Sequence, residues 1–179
     1  MKHEAVLAFW FDETEAAQWW SSDPQFDATI RSRFLPLWRQ AVAGELYGWR
    51  TSAHGRLAEV IVLDQFSRNV FRDTAAAYAQ DPMALALAQE AVASGALDRL
   101  NPVERSFVLL PYMHSESRLI HVEAERLYRE WAPTENYDFE VRHKAIIDRF
   151  GRYPHRNATL ARTSTAEEDD FLRTPGSSF

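Results

Sequence analysis

Three times in this chain an Asp or Asn stands directly before a proline at the head of a helical pattern: Asp23-Pro24, Asp81-Pro82 and Asn101-Pro102. The Asx oxygen accepts from the free N–H groups of a first helical turn. Proline fits the first helical position because its missing N–H is not needed there. Gly44 and Gly95 follow two of these segments, where a helix stops. No run sustains period-two alternation, and neither Asn-Gly nor Asp-Gly occurs, so strands and hairpins have no foothold. The chain reads as all-α. Helices are expected at about 4–11, 23–43, 55–70, 81–94, 101–114, 116–131, 138–150 and 164–172.

The 55–70 segment is apolar on most sides through Leu57, Ala58, Val60, Ile61, Val62, Leu63 and Phe66, which predicts a central helix. Pro36 and Pro111 fall inside helical patterns and are expected to kink or end them. The connections are short enough for successive helices to run antiparallel as hairpins. At 179 residues the chain is expected to form one domain over 1–179, with a frayed tail after about residue 173. Antiparallel succession makes the helices at 55–70, 101–114 and 138–150 mutually parallel, with their C-terminal ends at one pole.

Composition removes several function classes. A net charge of -6 and a sequence pI near 5.5 disfavour a nucleic-acid or membrane-surface binder, since phosphate backbones demand a basic face. Without cysteine there is no disulfide, zinc ribbon or thiol nucleophile. Met1 to Val6 carries Glu4 and too short an apolar run for a signal peptide, and no stretch approaches the roughly 20 apolar residues of a membrane helix. The expected location is the cytoplasm. No P-loop, G-x-G-x-x-G or nucleophile elbow is present, and no cofactor is implied.

Against this acidic background one stretch reverses sign. From Arg142 to Arg162, Arg142, Lys144, Arg149, Arg152, Arg156 and Arg162 face a single acid, Asp148, with His143 and His155 among them. Such a reversal is where an anion is held. Three helices also carry polar residues along apolar stripes. Leu57, Val60 and Ile61 continue to Asp64 and Arg68, Phe107 and Leu110 continue to His114, and His143 shares a face with Ile146, Ile147 and Phe150. A polar group on a buried stripe costs a few kcal/mol unless partnered. Asp64 with Arg68, and Asp148 with Arg152, are i,i+4 pairs that answer part of that need. Thr163 to Glu168 announces a further helix, whose capping box is Ser164 with Glu167 or Thr165 with Glu168. The glutamates compete with any anion for that helix start.

The chain also resembles a known bacterial family, the domain of unknown function 924. The resemblance rests on Phe9-Trp10-Phe11, on Ile61 through Arg72, on Leu110 through Glu116 and on His143 through Glu168, with Arg149-Phe150-Gly151-Arg152-Tyr153-Pro154-His155-Arg156-Asn157 at its centre. It implies a TPR-like fold of stacked helical hairpins, and it brings no activity. Ser67 stands where the family usually has proline, Asp73 where glycine is usual, and Ala161 where the family tends to read Leu-Gly-Arg.

Taken together, the expected ligand is a small anion or an acidic peptide end. Its expected pole comprises Asp64, Arg68, Arg72, His114, Glu116, Arg152, His155, Arg156 and Arg162. Arg68, Arg156 and Arg162 would hold the anion, with Asp64 and Glu116 orienting them. Two other readings use the same residues or the same fold. A scaffold for a protein partner predicts an exposed apolar strip. An acid–base enzyme would use His114 or His155 beside Glu116. A metal site of His114, Glu116, His143 and His155 can also be drawn, although the spacing matches no compact metal motif. Helix-end ion pairs with no ligand at all are the structural alternative.

Overall fold

A computed structural model describes residues 1–177 and shows an all-helical chain in which no strand is found among the described residues. The eight α-helices among the described residues are α1 His3–Leu7, α2 Pro24–Val42, α3 Ala53–Val70, α4 Asp81–Ala93, α5 Pro102–Met113, α6 Arg118–Trp131, α7 Thr134–Phe150 and α8 Ala166–Leu172. The first expected helix is corrected in form: α1 gives way to a π-helical stretch, Ala8–Glu13, which turns Phe9 and Trp10 inward. Five short 3-10 segments, among them Ala16–Trp20 and Tyr47–Thr51, occupy connections that carried no helical signal.

Helix α3 is the hub. Every residue from Leu57 to Val70 except Arg68 is buried, and α1, α2, α4 and α5 pack around it. Phe9, Trp10, Phe26, Phe34, Phe66 and Phe107 interlock beside it, as edge-on, tilted and stacked ring pairs. Helix α6 lies between α5 and α7. A second, small core of Ile146, Ile147 and Tyr153, with Phe150 and Phe171 against it, ties α7 to the last helix. Ser67 gives α3 a contact that proline could not, because its hydroxyl accepts from Trp38 Nε1 at 2.8 Å.

Proline acts differently at its helix positions. Asp23 caps α2 by accepting from Gln25 and Phe26, and Asn101 caps α5 with Glu104 completing the box. Asp81 does not cap: it is the first residue of α4, which starts after Gln80. Pro36 does not end α2, which runs on to Val42, and Pro111 lies within α5 two residues before its end. Each proline removes one ladder hydrogen bond, and packing of Phe34 and Leu37 in the core holds α2 through it. The last described residues turn back on α8, with Ser177 Oγ donating to Leu172 O. The remainder of the expected frayed tail, 178–179, lies outside the described residues.

Glycine at the end of α7 is required by the backbone. Gly151 has φ 71°, and its N–H closes on Ile147 O, which is the turn glycine makes without strain. Two other turns reach the same region without glycine: Asp73 has φ 61° and Ala161 φ 53°. These are two of the three positions where the chain departs from the pattern of the family it resembles. Both turns are left-handed although each residue carries a Cβ.

Candidate functional site

The C-terminal ends of α3, α5 and α7 do meet, and they meet through side chains rather than apolar packing. Asp64, 1% exposed, accepts from Arg68 at 3.0 Å, from Gln65 at 2.6 Å, and is 2.8 Å from His114 Nδ1. Burial alone would push this carboxyl up. The Arg68 guanidinium and His114 outweigh burial and hold it well below the usual carboxylate range. Arg68 bridges onward to Asp81, at 3.1 Å. Burial acts to lower the Arg68 pKa, and the two aspartates raise it further than burial lowers it.

Glu116 staples the loop before α6 to the loop after α7. Its carboxylate accepts from Arg162 at 2.6 and 2.9 Å and from the Tyr153 N–H at 2.7 Å. Burial pushes the group up, but these donors leave it below its ordinary value. Below the staple lies a sealed pair. His121 and Glu140 are fully buried, with Nδ1 2.8 Å from Glu140 Oε1 and Nε2 2.8 Å from Ser115 O. Neither partner was singled out from the sequence, because one lies on the strongly amphipathic α6 and the other in an ordinary acidic run.

Arg156 is held in an unusual way. Its guanidinium lies between two tyrosine rings, 4.7 Å from Tyr78 and 4.6 Å from Tyr153, which suits a flat delocalised cation. It is 6% exposed, donates to Asp81 at 3.3 Å, and its Nε finds no partner among the described residues. Burial and the neighbouring Arg68 lower its pKa, yet an arginine remains a cation at any physiological pH.

A cleft of about 340 Å³ opens here. Asp81, Pro82 and Leu85 of α4, Tyr78 just before it, Pro111 of α5, His114, Ser115 and Glu116 after it, and Arg156 with Leu160 line its walls. The lining mixes apolar and polar side chains. His114 enters with Nδ1 committed to Asp64 and with no partner for Nε2 among the described residues. That nitrogen is not among the buried unpaired atoms, so it faces solvent. Burial, then Arg68, push the imidazole pKa down against the pull of Asp64, so His114 is neutral at pH 7 with its lone pair on Nε2.

The expected pole is thus divided. His114, Glu116 and Arg156 line the cleft; Asp64 and Arg68 stand behind it; Arg162 is spent on Glu116 and on Tyr153 O, at 3.1 Å. Arg72 lies elsewhere, bonded to Asp27 of α2 at 2.6 and 2.9 Å. Arg152 pairs with Glu168 at 2.6 and 2.7 Å instead of the expected Asp148, which takes Lys144. The Arg152 bond brings the Glu168 carboxyl down to about 2. Glu168 also completes the capping box with Thr165 at the start of α8. His155 sits against Tyr153, outside the cleft wall, and burial, then Arg156, bring it down to about 4. No three His, Asp or Glu side chains among the described residues are placed to hold a metal ion. Sequence reasoning does not reach Asp81 and Tyr78: Asp81-Pro82 reads as a cap, and nothing in the sequence sets Tyr78 beside an arginine 78 positions later.

The cleft sits within a chain that has known relatives. Residues 6–176 match the family described as bacterial protein of unknown function (DUF924). A solved structure of a protein of unknown function from Agrobacterium tumefaciens is similar at a TM-score of 0.90 and 34% identity, over 96% of each chain. No curated protein matches the chain.

Proposed function

Because the chain belongs to the bacterial DUF924 family, whose description assigns no activity, its role has to come from its own cleft, and we propose that the cleft binds a small anionic ligand at Arg156. The carrying observation is the guanidinium itself. It is buried, clamped between Tyr78 and Tyr153, and lines an open cleft. Its Nη1 donates to Asp81, while Nη2 has no acceptor among the described residues and is not among the buried unpaired atoms. A carboxylate or phosphate oxygen in the cleft would accept from it through a charge-assisted bond. Arg68 and Arg162 are bonded to Asp64, Asp81 and Glu116, and neither lines the cleft. The anion therefore relies on Arg156 alone, in place of the three arginines expected from the sequence.

The apolar lining residues, Leu85, Pro111 and Leu160 with Ala75 and Ala79, suit an apolar body. A free carboxylic acid with a short chain, or an acidic peptide end with an apolar neighbour, has this shape. The test is thermal unfolding with acetate, butyrate, hexanoate, succinate and inorganic phosphate, on wild type and Arg156→Gln. Hexanoate should raise the wild-type midpoint more than acetate and leave Arg156→Gln unmoved. Equal shifts in both proteins would contradict the proposal.

A second reading has its own observation. Leu119 and Val122, three apart on α6, are 77% and 62% exposed, which is the apolar strip a scaffold for a protein partner requires. Loss of a co-purifying, stoichiometric partner on Leu119→Asp would favour it. A wild type that elutes alone from a lysate of its own host would not.

A further inference from the structure

Anchoring an anion accounts for Arg156 but leaves His114 and Asp64 unexplained. A histidine in a purely structural ion-pair lattice spends both ring nitrogens, as His121 does on Glu140 and on the Ser115 carbonyl. His114 spends one. Asp64, buried behind it, accepts at 2.8 Å from Nδ1 and thereby fixes the tautomer and the direction of the ring. The other nitrogen is delivered to a cleft whose wall also holds a cation and an apolar surface. These are the parts of a general base, its orienting carboxylate and an electrophilic group.

We infer that the cleft is a hydrolytic site, in which His114 Nε2 deprotonates a water that attacks the carbonyl of an ester with a short apolar acyl chain. The inference rests on the binding reading above, since the anion held at Arg156 becomes the product carboxylate. The acyl chain lies against Leu85, Pro111 and Leu160. Water oxygen bonds to the carbonyl carbon as its proton passes to Nε2, and the charge developing on the carbonyl oxygen meets the Arg156 donors. The carbon–alkoxy bond then breaks, and the imidazolium returns its proton to the departing alkoxide. The products are one carboxylate at Arg156, one alcohol and one proton released to solvent. His114 is the catalytic residue, and Asp64 is a positioning residue.

The charged and titratable groups around His114 are Asp64 and Arg68 on α3, Asp81 at the head of α4, Glu116 and Arg156 in the same cleft wall, His143 on α7 and His155 after it. Arg68 disfavours the imidazolium and the two aspartates favour it. Turnover should rise as pH climbs through the His114 titration, below the ordinary 6.5, and then level off.

The experiment measures hydrolysis of p-nitrophenyl acetate, butyrate, hexanoate and octanoate by the full chain, beside thermal shift with hexanoate. Wild type should turn over the four-to-eight-carbon esters, and His114→Gln should lose about 100-fold or more in kcat while its melting is still raised by hexanoate. Asp64→Asn removes a charge that favours the imidazolium, so the acid limb should move to lower pH as kcat falls, a shift that a loss of folding alone does not produce. A His114→Gln protein as fast as wild type would overturn the inference, as would no turnover above buffer. Hexanoate stabilisation without turnover would overturn it and leave the binding reading intact. His114-dependent turnover without any hexanoate shift would support the base and remove Arg156 as the anchor.

Discussion

Two histidine–carboxylate pairs, built on histidines seven residues apart, have opposite surroundings. His121 and Glu140 are wholly buried, and both imidazole nitrogens have acceptors inside the protein. His114 and Asp64 have the same 2.8 Å contact, yet the outer ring nitrogen of His114 is left to a cleft. The sealed pair fixes the Ser115 carbonyl and with it the start of the loop that carries Glu116. The open pair has chemistry to spare. A completed set of hydrogen bonds suits a structural role, and a ring nitrogen open to a cleft is what the proposed ligand role requires.

The comparison is broken most severely at the sealed pair. Glu140→Ala leaves His121 without its carboxylate in a fully buried site, and breaking such a pair costs about 3–5 kcal/mol. His114→Ala should cost only about 1 kcal/mol, because Asp64 keeps Arg68 and Gln65. Urea unfolding of the two variants measures the difference, and equal losses would erase the distinction.

Acid should sharpen it next. Burial holds His143 down to about 3 and His155 down to about 4, against 6.5 unfolded. The unfolded chain binds those protons first, so stability should fall as pH drops below 6.5 and continue falling toward those values. Glu168 works in the same direction. Its folded value of about 2 stabilises the protein above the unfolded 4.5, and this contribution is lost as pH falls from there toward 2. Urea midpoints should be level from pH 8 to about pH 7 and decrease from there to pH 3. A flat profile would show these groups to be solvated.

The smallest expected effects are gains. Asp73 and Ala161 hold left-handed backbone, and glycine in their place should stabilise by about 1 kcal/mol each. Ala161→Gly sits next to Arg162 and its Glu116 partner, so it tests in addition whether the staple tolerates a freer turn. Thermal melts check both, and a loss would show that the side chains make contacts worth more than the strain.

Local rules carried far. Asp23 and Asn101 capped the helices that their Asx-Pro pairs announced, and the apolar α3 became the hub. Antiparallel succession brought Asp64, His114 and Tyr153 together because the connections were short. What escaped depended on tertiary contact. Asp81 has a sufficient local explanation as a cap, so nothing flagged its bridge between Arg68 and Arg156. Arg72 and Arg152 stand beside Arg156 in the expected pole, and only the fold pairs them with Asp27 and Glu168. Burial also decides which histidine reaches the cleft. His143 and His155 carry the same side chain as His114 at the same pole, and neither lines the wall.

The most direct test of the distinction between the pairs is a nitrogen-15 spectrum of the histidine rings during a hexanoate titration. His114 should appear neutral with its proton on Nδ1, and its Nε2 resonance should move as the cleft fills. His121 should show a protonated Nε2, as its bond to Ser115 O demands, and should stay where it is. A His114 ring unmoved by millimolar hexanoate, or a His121 ring that moves as far, would contradict the assignment of the open pair to function.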